Sequence, residues 1–309
     1  MSLTEVESLD QLYALIGTGT NEGKDDSREL VEMLQREGLI RKCRRCTSQQ
    51  CRSPTKLLTS SSHKGGYCSY CSRCRRRRSL IIRSFFENMT LSFRNVLKLM
   101  YFWALNTGVR SAVHATGVSR KSVAHYFGYF RDICSWKMLQ DAERFKFGGP
   151  DRVVQIDRSI VNIQKYDEEG VIPEKWLLGI YDTFLRRGVV VHVCRWPGQT
   201  LVPLIQDYVL PGTTIYTDGW DAYQGLNTAG YKHMVVNHKE DFVDPTTGTC
   251  TNAVEVYWSK LKKFLNESIT MKGKLGPEHI DEFMWRDTYC QDANPFGKIV
   301  EAIRERYPL

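Results

Sequence analysis

The pattern of apolar and polar residues changes along the chain, and each pattern predicts a different kind of structure. Between residues 41 and 86 apolar residues are sparse, while Cys, Arg and Ser are frequent. From Leu91 to about Trp136 apolar residues recur at three- and four-residue intervals, which predicts helices. Beyond the Gly-Gly-Pro turn at 148–150, short apolar runs bounded by turn residues predict strands alternating with helices. The chain therefore divides into four predicted parts: an N-terminal helical segment (1–40), a basic cysteine-rich module (41–86), a helical region (87–149) and an α/β domain with C-terminal helices (150–309).

The helical region contains the layout of a helix-turn-helix. A short helix from about Arg110 to Thr116 meets a break at Gly117, and Ser119 is placed to cap a second helix that runs to about Cys134. Such a second helix lies in a DNA major groove with its N-terminal residues at the base edges. The predicted DNA contacts here are Ser119, Arg120 and Lys121; the alternative is an ordinary helical hairpin.

The last part predicts an RNase H-like fold. Three largely antiparallel strands at about 153–157, 176–181 and 188–194 precede a helix near 199–208. A strand at 213–217, a short helix within GWDAYQGL, a strand at MVVNH and a helix from Asn252 to about Leu265 follow. The predicted fold class is thus α/β, with an RNase H-like catalytic core preceded by a zinc ribbon and a helix-turn-helix.

Three carboxylates are the candidate catalytic residues. Asp157 and Asp218 each end an apolar run, and Glu255 lies in the first turns of the helix predicted from Asn252. Hard cations such as Mg²⁺ or Mn²⁺ prefer carboxylate oxygens, and a pair of them supports phosphoryl transfer. Asp182 and Asp221 are the alternative ligands. His238, after the fifth strand, is a candidate contact to the scissile phosphate.

Charge is concentrated in the cysteine-rich module. The net charge is +8, yet residues 41–86 hold 13 Lys/Arg and no Asp/Glu, so the remaining 30 basic and 35 acidic residues sum to −5. Such a block favours a polyanion, most simply nucleic acid, over a merely solvated surface. The run Arg75, Arg76, Arg77 and Arg78 is suited to backbone phosphates. Neither a membrane span nor a secretory signal is evident, which predicts an intracellular protein, nuclear in a eukaryote and otherwise cytoplasmic.

Six cysteines of this module predict a structural zinc site. Two Cys-x-x-Cys turns resemble a zinc ribbon, and four thiolates complete a tetrahedral Zn²⁺ site. Cys43 and Cys46 are the firmest expected ligands. Cys71 and Cys74 form the expected second pair, with Cys68 as an alternative ligand and Cys51 as a bystander. Unliganded thiols or a redox pair are the other interpretations.

A long series of motifs resembles one known family. VVQID, IYTDGWDAY, VNHKEDFVDPTTGTCTNAVEVYWSKLK and HIDEFMWRDTY are similar to transposases of Merlin and related bacterial insertion elements, and the match covers most of 40–309. The resemblance implies that Asp157, Asp218 and Glu255 form the acidic triad of a cut-and-paste transposase. It also implies that the zinc ribbon and helix-turn-helix recognise terminal inverted repeats. Gln155 and Arg158 replace acids of the family's first motif, and Cys250 stands where a His is usual.

These features together predict a DNA transposase that cleaves DNA and transfers strands with divalent metal ions. Its expected partners are double-stranded DNA, as terminal repeats and target, and further copies of the chain in a dimer or higher assembly. One alternative is a transposase-derived DNA-binding protein with an impaired catalytic core, which Arg158 favours. Another is an RNase H-like nuclease acting on RNA or a hybrid, which the helix-turn-helix disfavours.

Overall fold

The chain divides into two compact units. The computed structural model describes residues 1–17, 27–161, 166–167, 170–171, 176–193, 198–236, 249–268 and 276–309. Unit 1 comprises Met1–Ile133 and Asp292–Leu309, and unit 2 comprises Cys134–Gln291. The four-part division expected from the sequence is finer than these units and stays a prediction. Within the described ranges, no helix combines the length and apolar character needed to cross a membrane.

Most of the strands lie in unit 2, whereas helices occur in both units. The helices are α1 (Leu9–Ile16), α2 (Arg28–Arg36), α3 (Phe93–Ala104), α4 (Val109–Thr116), α5 (Arg120–Gln140), α6 (Gly198–Tyr208), α7 (Asn252–Ser268), α8 (Pro277–Tyr289) and α9 (Pro295–Arg306). The strands are β1 (Lys56–Thr59), β2 (Tyr67–Tyr70), β3 (Arg77–Ser79), β4 (Phe147–Gly148), β5 (Val153–Ile160), β6 (Tyr166–Asp167), β7 (Gly170–Val171), β8 (Trp176–Asp182), β9 (Arg187–His192), β10 (Val209–Leu210), β11 (Thr214–Asp218) and β12 (Lys232–Val236).

Unit 1 combines a small sheet with a helical core. Strands β1, β2 and β3 pair antiparallel in that order. Helix α3 is capped by the Ser92 hydroxyl, which accepts from the Asn95 backbone N–H, and it buries most of its side chains. Helix α9 belongs to the same unit and packs closely on the N-terminal residues. A Cβ at Gly297 would lie only 2.6 Å from the Thr4 carbonyl oxygen, so glycine permits this contact.

The predicted helix–glycine–helix is confirmed in its backbone. Helix α4 ends at Gly117, which adopts the left-handed conformation with φ 68°. The Ser119 hydroxyl accepts from the Ser122 backbone N–H at 3.2 Å and so caps α5. Helix α5 extends to Gln140, beyond the predicted end near Cys134, because its buried face continues through Ile133 and Met138.

Unit 2 is built on a five-stranded sheet of order β12-β11-β5-β8-β9. Strands β5, β8 and β9 pair antiparallel, and β11 pairs parallel with both β5 and β12. Three antiparallel strands followed by two parallel ones beside the first strand is the RNase H-like arrangement, as the sequence predicts. Two small pairs, β4 with β10 and β6 with β7, complete the strands of the described residues.

Helices α7 and α8 bury their apolar faces against this sheet. Helix α7 packs on β5 and β8, and it buries Val254, Tyr257, Trp258 and Leu261 at helical spacing. Helix α8 packs on β9 and on α7, where Phe283 meets Tyr257 with 5.1 Å between ring centroids. Helix α7 is thereby fixed with its first turn near the middle strands, which positions Glu255.

Candidate functional site

The strand register brings the first two candidate carboxylates side by side. Strands β5 and β11 are parallel neighbours in which Gln155 pairs with Tyr216. Both strands continue for at least two residues, so the same register places Asp157 beside Asp218. Asp218 ends β11, whereas Asp157 lies within β5, which continues to Ile160 beyond the strand end predicted at 157 because its pairing with β8 extends to Trp176. Two acids that the sequence separates widely thus become neighbours on adjacent parallel strands.

Helix α7 delivers the third carboxylate through an unusual cap. The Gln155 side-chain oxygen, from β5, accepts the backbone N–H groups of Ala253 and Val254 at 2.9 and 3.0 Å. These N–H groups are among those that a helix leaves unsatisfied at its start. Gln155 also donates from its amide to the Cys250 sulfur at 3.7 Å. Gln155 and Cys250, two positions at which the chain differs from the transposases it resembles, therefore contact each other, and Gln155 fixes the start of the helix that carries Glu255.

Asp157 is oriented by Trp258, and a glycine makes this possible. The Trp258 indole N–H donates to Asp157 Oδ2 at 3.0 Å. Gly179 is the residue opposite Asp157 on β8, and a Cβ there would lie 2.6 Å from the Trp258 ring. A side chain at 179 would push the indole away, so Gly179 provides the space from which Trp258 holds the carboxylate. This arrangement depends on register, for which the sequence carries no local signal.

The electrostatics of Asp157 reflect how close the acids lie. Burial raises the pKa of Asp157, and the nearby Asp218 and Glu255 carboxylates raise it further, against hydrogen bonds that lower it. Asp218 Oδ1 is buried and has no hydrogen-bond partner within the described residues. Glu255 is exposed, and its Oε1 accepts from the buried Thr251 hydroxyl at 3.3 Å. A buried oxygen without a partner beside two further carboxylates is an arrangement suited to a cation.

Arg158 is the cation that the structure places at this site. Its guanidinium lies 3.9 Å from Asp218 Oδ2. The same group lies 4.2 Å from the centre of the Trp220 ring and 5.9 Å from that of Trp176. Cation–π contacts of this kind hold an arginine in place. Trp220 in turn makes an edge contact with the buried Tyr223. Arg158 is thus a fixed part of the site and partly neutralises Asp218.

The two alternative acids have other surroundings. Asp182 is fully buried, and its carboxylate accepts backbone N–H groups from Gly148, Phe184 and Leu185 at 2.8–2.9 Å. It thereby stabilises the turn between β8 and β9. Asp221 is exposed and accepts from the Gln224 side chain at 2.8 Å. The carboxylates that raise the pKa of Asp157 are those of Asp218 and Glu255, and the structure groups Asp157 with these two.

The cysteine-rich module brings four thiols together. The sulfur atoms of Cys46, Cys51, Cys71 and Cys74 all lie within 4.8 Å of one another. Cys46 and Cys74 are 3.4 Å apart, and Cys51 and Cys71 are 3.6 Å apart. A Zn–S bond of about 2.3 Å in a tetrahedron puts the sulfurs about 3.8 Å from each other. The donor set and its spacing therefore fit a four-thiolate zinc site.

This cluster differs from the expected ligand set. Cys51, expected to be a bystander, belongs to it, whereas Cys43 lies outside and its sulfur accepts from the Gln35 amide at 3.7 Å. The physical reason is a turn after Cys46, in which the Cys51 N–H donates to the Ser48 carbonyl. The Cys46 N–H donates to the Ser53 carbonyl at 2.7 Å, and this folds Cys51 back toward Cys46.

Cys68 lies outside the cluster, and Cys51 within it receives hydrogen bonds. Cys68, the expected alternative ligand, is buried on β2 outside the four. Within the cluster, hydrogen bonds from Ser53 hold the pKa of the Cys51 thiol at about 6. Against a hydrogen bond from the Arg76 backbone, burial and the neighbouring thiols Cys46, Cys71 and Cys51 raise the pKa of Cys74 to about 11, so the metal-free cluster readily gives up a proton at Cys51 but not at Cys74. The thiolate is the form in which cysteine binds metals.

The candidate DNA contacts are only partly brought together. Arg120 and Lys121 are exposed in the first turn of α5, and Ser119 is exposed at the position that caps it. Arg75, Arg76 and Arg77 are exposed as well, while Arg78 on β3 is half-buried. His238 lies outside the described residues.

Comparison with known proteins indicates that the RNase H-like domain is similar to transposase domains. Residues 175–288 match the family model of the ISXO2-like transposase domain, a range that includes Asp218 and Glu255. An uncharacterized transposase-like protein of Haemophilus influenzae is 25% identical over 87 residues, which cover 28% of this chain and 69% of that protein.

Two solved structures show the extent of the structural likeness. The catalytic core domain of HTLV-2 integrase in complex with magnesium is 19% identical, with 44% of this chain and 86% of that chain covered and a TM-score of 0.32. The Mos1 Strand Transfer Complex is 11% identical, with 64% and 71% covered and a TM-score of 0.29. At these scores the likeness carries no argument, and the fold rests on the strand order.

Proposed function

We propose that the protein is a DDE-type DNA transposase, related to the Merlin group, that binds terminal inverted repeats and catalyses DNA cleavage and strand transfer. The observation that carries the proposal is the convergence of Asp157, Asp218 and Glu255 on the adjacent strands β5 and β11 and on helix α7 of an RNase H-like sheet domain. The match of residues 175–288 to a transposase domain supports it independently. The chemistry is a phosphoryl transfer on DNA, with no covalent protein–DNA intermediate.

Mg²⁺ or Mn²⁺ is the proposed catalytic cofactor, and the three carboxylates would hold it. The fit rests on Asp218 Oδ1, a buried oxygen without a partner in the described residues, and on the mutual repulsion of the acids. When bound, such ions activate the attacking oxygen and stabilise the leaving oxygen of the phosphodiester.

The chain's own residues prepare the acids for this task. The Trp258 indole N–H and the Arg158 backbone N–H both hydrogen-bond to the Asp157 carboxylate and so hold it in one orientation. Thr251 orients Glu255, whose exposure keeps this side of the site open to DNA. A carboxylate binds a metal ion in its ionised form, so the raised pKa of Asp157 makes metal binding weaken as the pH falls.

The cysteine cluster is proposed to hold a structural Zn²⁺ ion. Four thiolates and no open position characterise structural rather than catalytic zinc. Few residues of β1, β2 and β3 are fully buried, so this small sheet has little core of its own. A metal ion would therefore contribute much of the stability of the module.

Double-stranded DNA is the proposed partner, recognised by the α4–α5 helix pair and by the basic module. Arg120 and Lys121, with Ser119, are proposed to face base edges, and Arg75–Arg78 to contact backbone phosphates. His238 is proposed to contact DNA near the site of cleavage. Two transposon ends must be joined, so we propose a dimer or higher assembly on DNA, in the nucleus of a eukaryote or otherwise in the cytoplasm.

The decisive experiment uses the full-length protein and the DNA that flanks its coding region. Duplexes carrying the terminal repeats found there are incubated with protein and Mg²⁺ or Mn²⁺, and a scrambled duplex serves as the control. We expect cleavage at the repeat end and joining to a target plasmid. Repeat-specific binding without any cleavage under either metal would contradict the proposed activity.

A second candidate function is favoured by Arg158. Its guanidinium lies 3.9 Å from Asp218 Oδ2, next to a proposed metal ligand. A fixed positive charge there weakens cation binding. The protein would then be a transposase-derived DNA-binding protein with an impaired catalytic core. Retained repeat binding with cleavage only after Arg158 is replaced would support this candidate.

A further inference from the structure

A basic pocket in unit 1 lies apart from both the acids and the thiol cluster. It has a volume of about 300 Å³, and its wall carries five cationic side chains: Arg41, Lys42, Arg44, Arg45 and Arg78. The other described side chains that line it are small, polar or aliphatic, and none of them is acidic. A concave site with this lining is suited to an anion.

Arg41 is fixed in the pocket wall. Its backbone N–H donates to the Leu80 carbonyl at 2.8 Å, and its side-chain Nε donates to the Ile82 carbonyl at 2.8 Å. Within the described residues the guanidinium makes no other hydrogen bond, so its terminal nitrogens remain for a ligand. An arginine already held in one orientation loses little conformational freedom when it binds an anion.

Arg78 faces the same pocket because of the strand register. On the β2–β3 ladder Arg78 pairs with Ser69, and both residues line the pocket. The adjacent Arg77 is exposed and does not line it, since successive side chains of a strand point to opposite faces. The structure thus separates Arg78 from the other members of the arginine run.

The cations of the pocket repel one another, and acidic groups offset little of this repulsion. Burial lowers the pKa of Arg41, and the nearby Arg78 and Arg83 lower it further, while only Glu87 opposes them. In the part of the chain that the structure describes, none of the five cations forms an ion pair. A bound anion would remove this repulsion and would accept charge-assisted hydrogen bonds from both guanidinium groups.

We propose that this pocket seats one phosphate of the DNA backbone, with Arg41 and Arg78 as its two main contacts. The proposal rests on the proposed DNA-binding function, in which DNA is the polyanion. It adds the position at which the basic module binds the DNA backbone. Two planar guanidinium groups suit the oxygens of a phosphodiester better than single ammonium charges do.

The test measures duplex binding by the full-length protein over a salt series. Arg41→Gln and Arg78→Gln are compared with Arg36→Gln, which removes the same charge from a position of α2 outside the pocket. We expect each pocket variant to bind about tenfold more weakly, since hydrogen bonds between charged groups are strong. The control is expected to lose less than about twofold.

The double variant shows whether one phosphate is shared. The slope of log K against log salt changes by about 0.9 for each phosphate contact. Arg41→Gln with Arg78→Gln should therefore flatten the slope by about 0.9 in total, whereas two separate phosphates would give about 1.8. Because Arg41 also bonds the Ile82 carbonyl, Arg78→Gln alone decides the case if the Arg41 variant is unstable.

The outcomes separate this proposal from the proposed function. If both pocket variants bind duplex like Arg36→Gln while the wild type shows strong salt-dependent binding, the pocket is wrong and DNA binding stands. A slope change of about 1.8 overturns the shared phosphate. A wild-type protein that binds no duplex, or prefers single-stranded RNA, overturns both the pocket's ligand and the proposed function.

Discussion

The thiol cluster and the acidic site, both candidate metal centres, are assembled in different ways. The four thiols come from one short stretch between Cys46 and Cys74, and all of them are cysteine side chains. The three acids come from two strands and a helix and differ in surroundings: Asp157 is bonded to Trp258, Asp218 lies beside Arg158, and Glu255 is exposed. Four closely spaced sulfur donors suit a closed structural site, whereas carboxylates in different surroundings with one side open suit a site that admits substrate.

The largest expected effect breaks the acidic site alone. Asp157→Asn, Asp218→Asn and Glu255→Gln should each lower the rate of DNA cleavage by about a thousandfold or more, because metal ions contribute several kcal/mol to such reactions and amides replace carboxylates poorly. Repeat binding should stay within about twofold of wild type, since specific contacts lie elsewhere. Cleavage assays and binding titrations on the same duplex measure both quantities.

Asp221→Asn is the matched control for these variants. Asp221 is exposed next to Trp220 in the sequence, and its carboxylate accepts a hydrogen bond from the Gln224 side chain rather than from any group at the acidic site. We expect its cleavage rate to equal that of wild type. If the control lost activity and one of the three acid variants kept it, the assignment of the triad would be wrong.

A smaller effect, on zinc affinity, is expected when the thiol cluster of unit 1 is changed. Cys51→Ser should bind zinc at least about tenfold more weakly, because one of four thiolates is lost. Cys43→Ser should retain about one zinc per chain, because Cys43 lies outside the cluster. Elemental analysis after dialysis against a mild chelator, together with thermal melting, compares the two. If Cys43→Ser lost the metal and Cys51→Ser kept it, Cys43 and not Cys51 would be the zinc ligand, as the spacing of the cysteines predicts.

The comparison also explains what the sequence can predict. Asp157 and Asp218 are recognisable because apolar runs end there, and Gly117 with Ser119 because a left-handed residue and a cap mark helix boundaries. The strand order follows from the succession of element types. Local patterns of this kind suffice where a residue's role depends on its immediate neighbours in the chain.

Other features depend on contacts between distant segments. The pair Cys43 and Cys46 has the spacing of a zinc turn, yet the turn after Cys46 selects Cys51. The space that Gly179 leaves for Trp258 follows from strand register. The packing of α9 in unit 1 through Gly297 also joins distant parts of the chain. A single sequence contains no direct signal for these contacts.

A comparable change in metal affinity is expected at Arg158, the feature that makes the acidic site least like an ordinary metal centre. Arg158→Gln should raise the affinity of the DNA-free protein for Mn²⁺ by about tenfold, because a positive charge 3.9 Å from Asp218 Oδ2 opposes a cation. Calorimetric titration measures the affinity without reference to activity. Arg152→Gln is the control, since Arg152 likewise stacks on an aromatic ring, that of Phe184. Unchanged or weaker binding by Arg158→Gln would mean that Arg158 supports the site instead.

The smallest effect is a pH dependence of stability in the metal-free protein. Burial and the neighbouring carboxylates raise the pKa of Asp157 above its ordinary 3.8, so the folded state favours the protonated form. The corresponding stability is fully present below the ordinary pKa and is lost as the pH rises through the raised value. In EDTA, Asp157→Asn should remove this loss, keep the acceptor for Trp258, and melt roughly a few degrees above wild type at about pH 7. Melting curves between about pH 4 and 8 compare it with Asp221→Asn, which should follow the wild type. If the melting temperatures of wild type and Asp157→Asn changed with pH in parallel, ionisation of Asp157 would not destabilise the folded protein. Repulsion among the carboxylates would then not distinguish the acidic site from the thiol cluster.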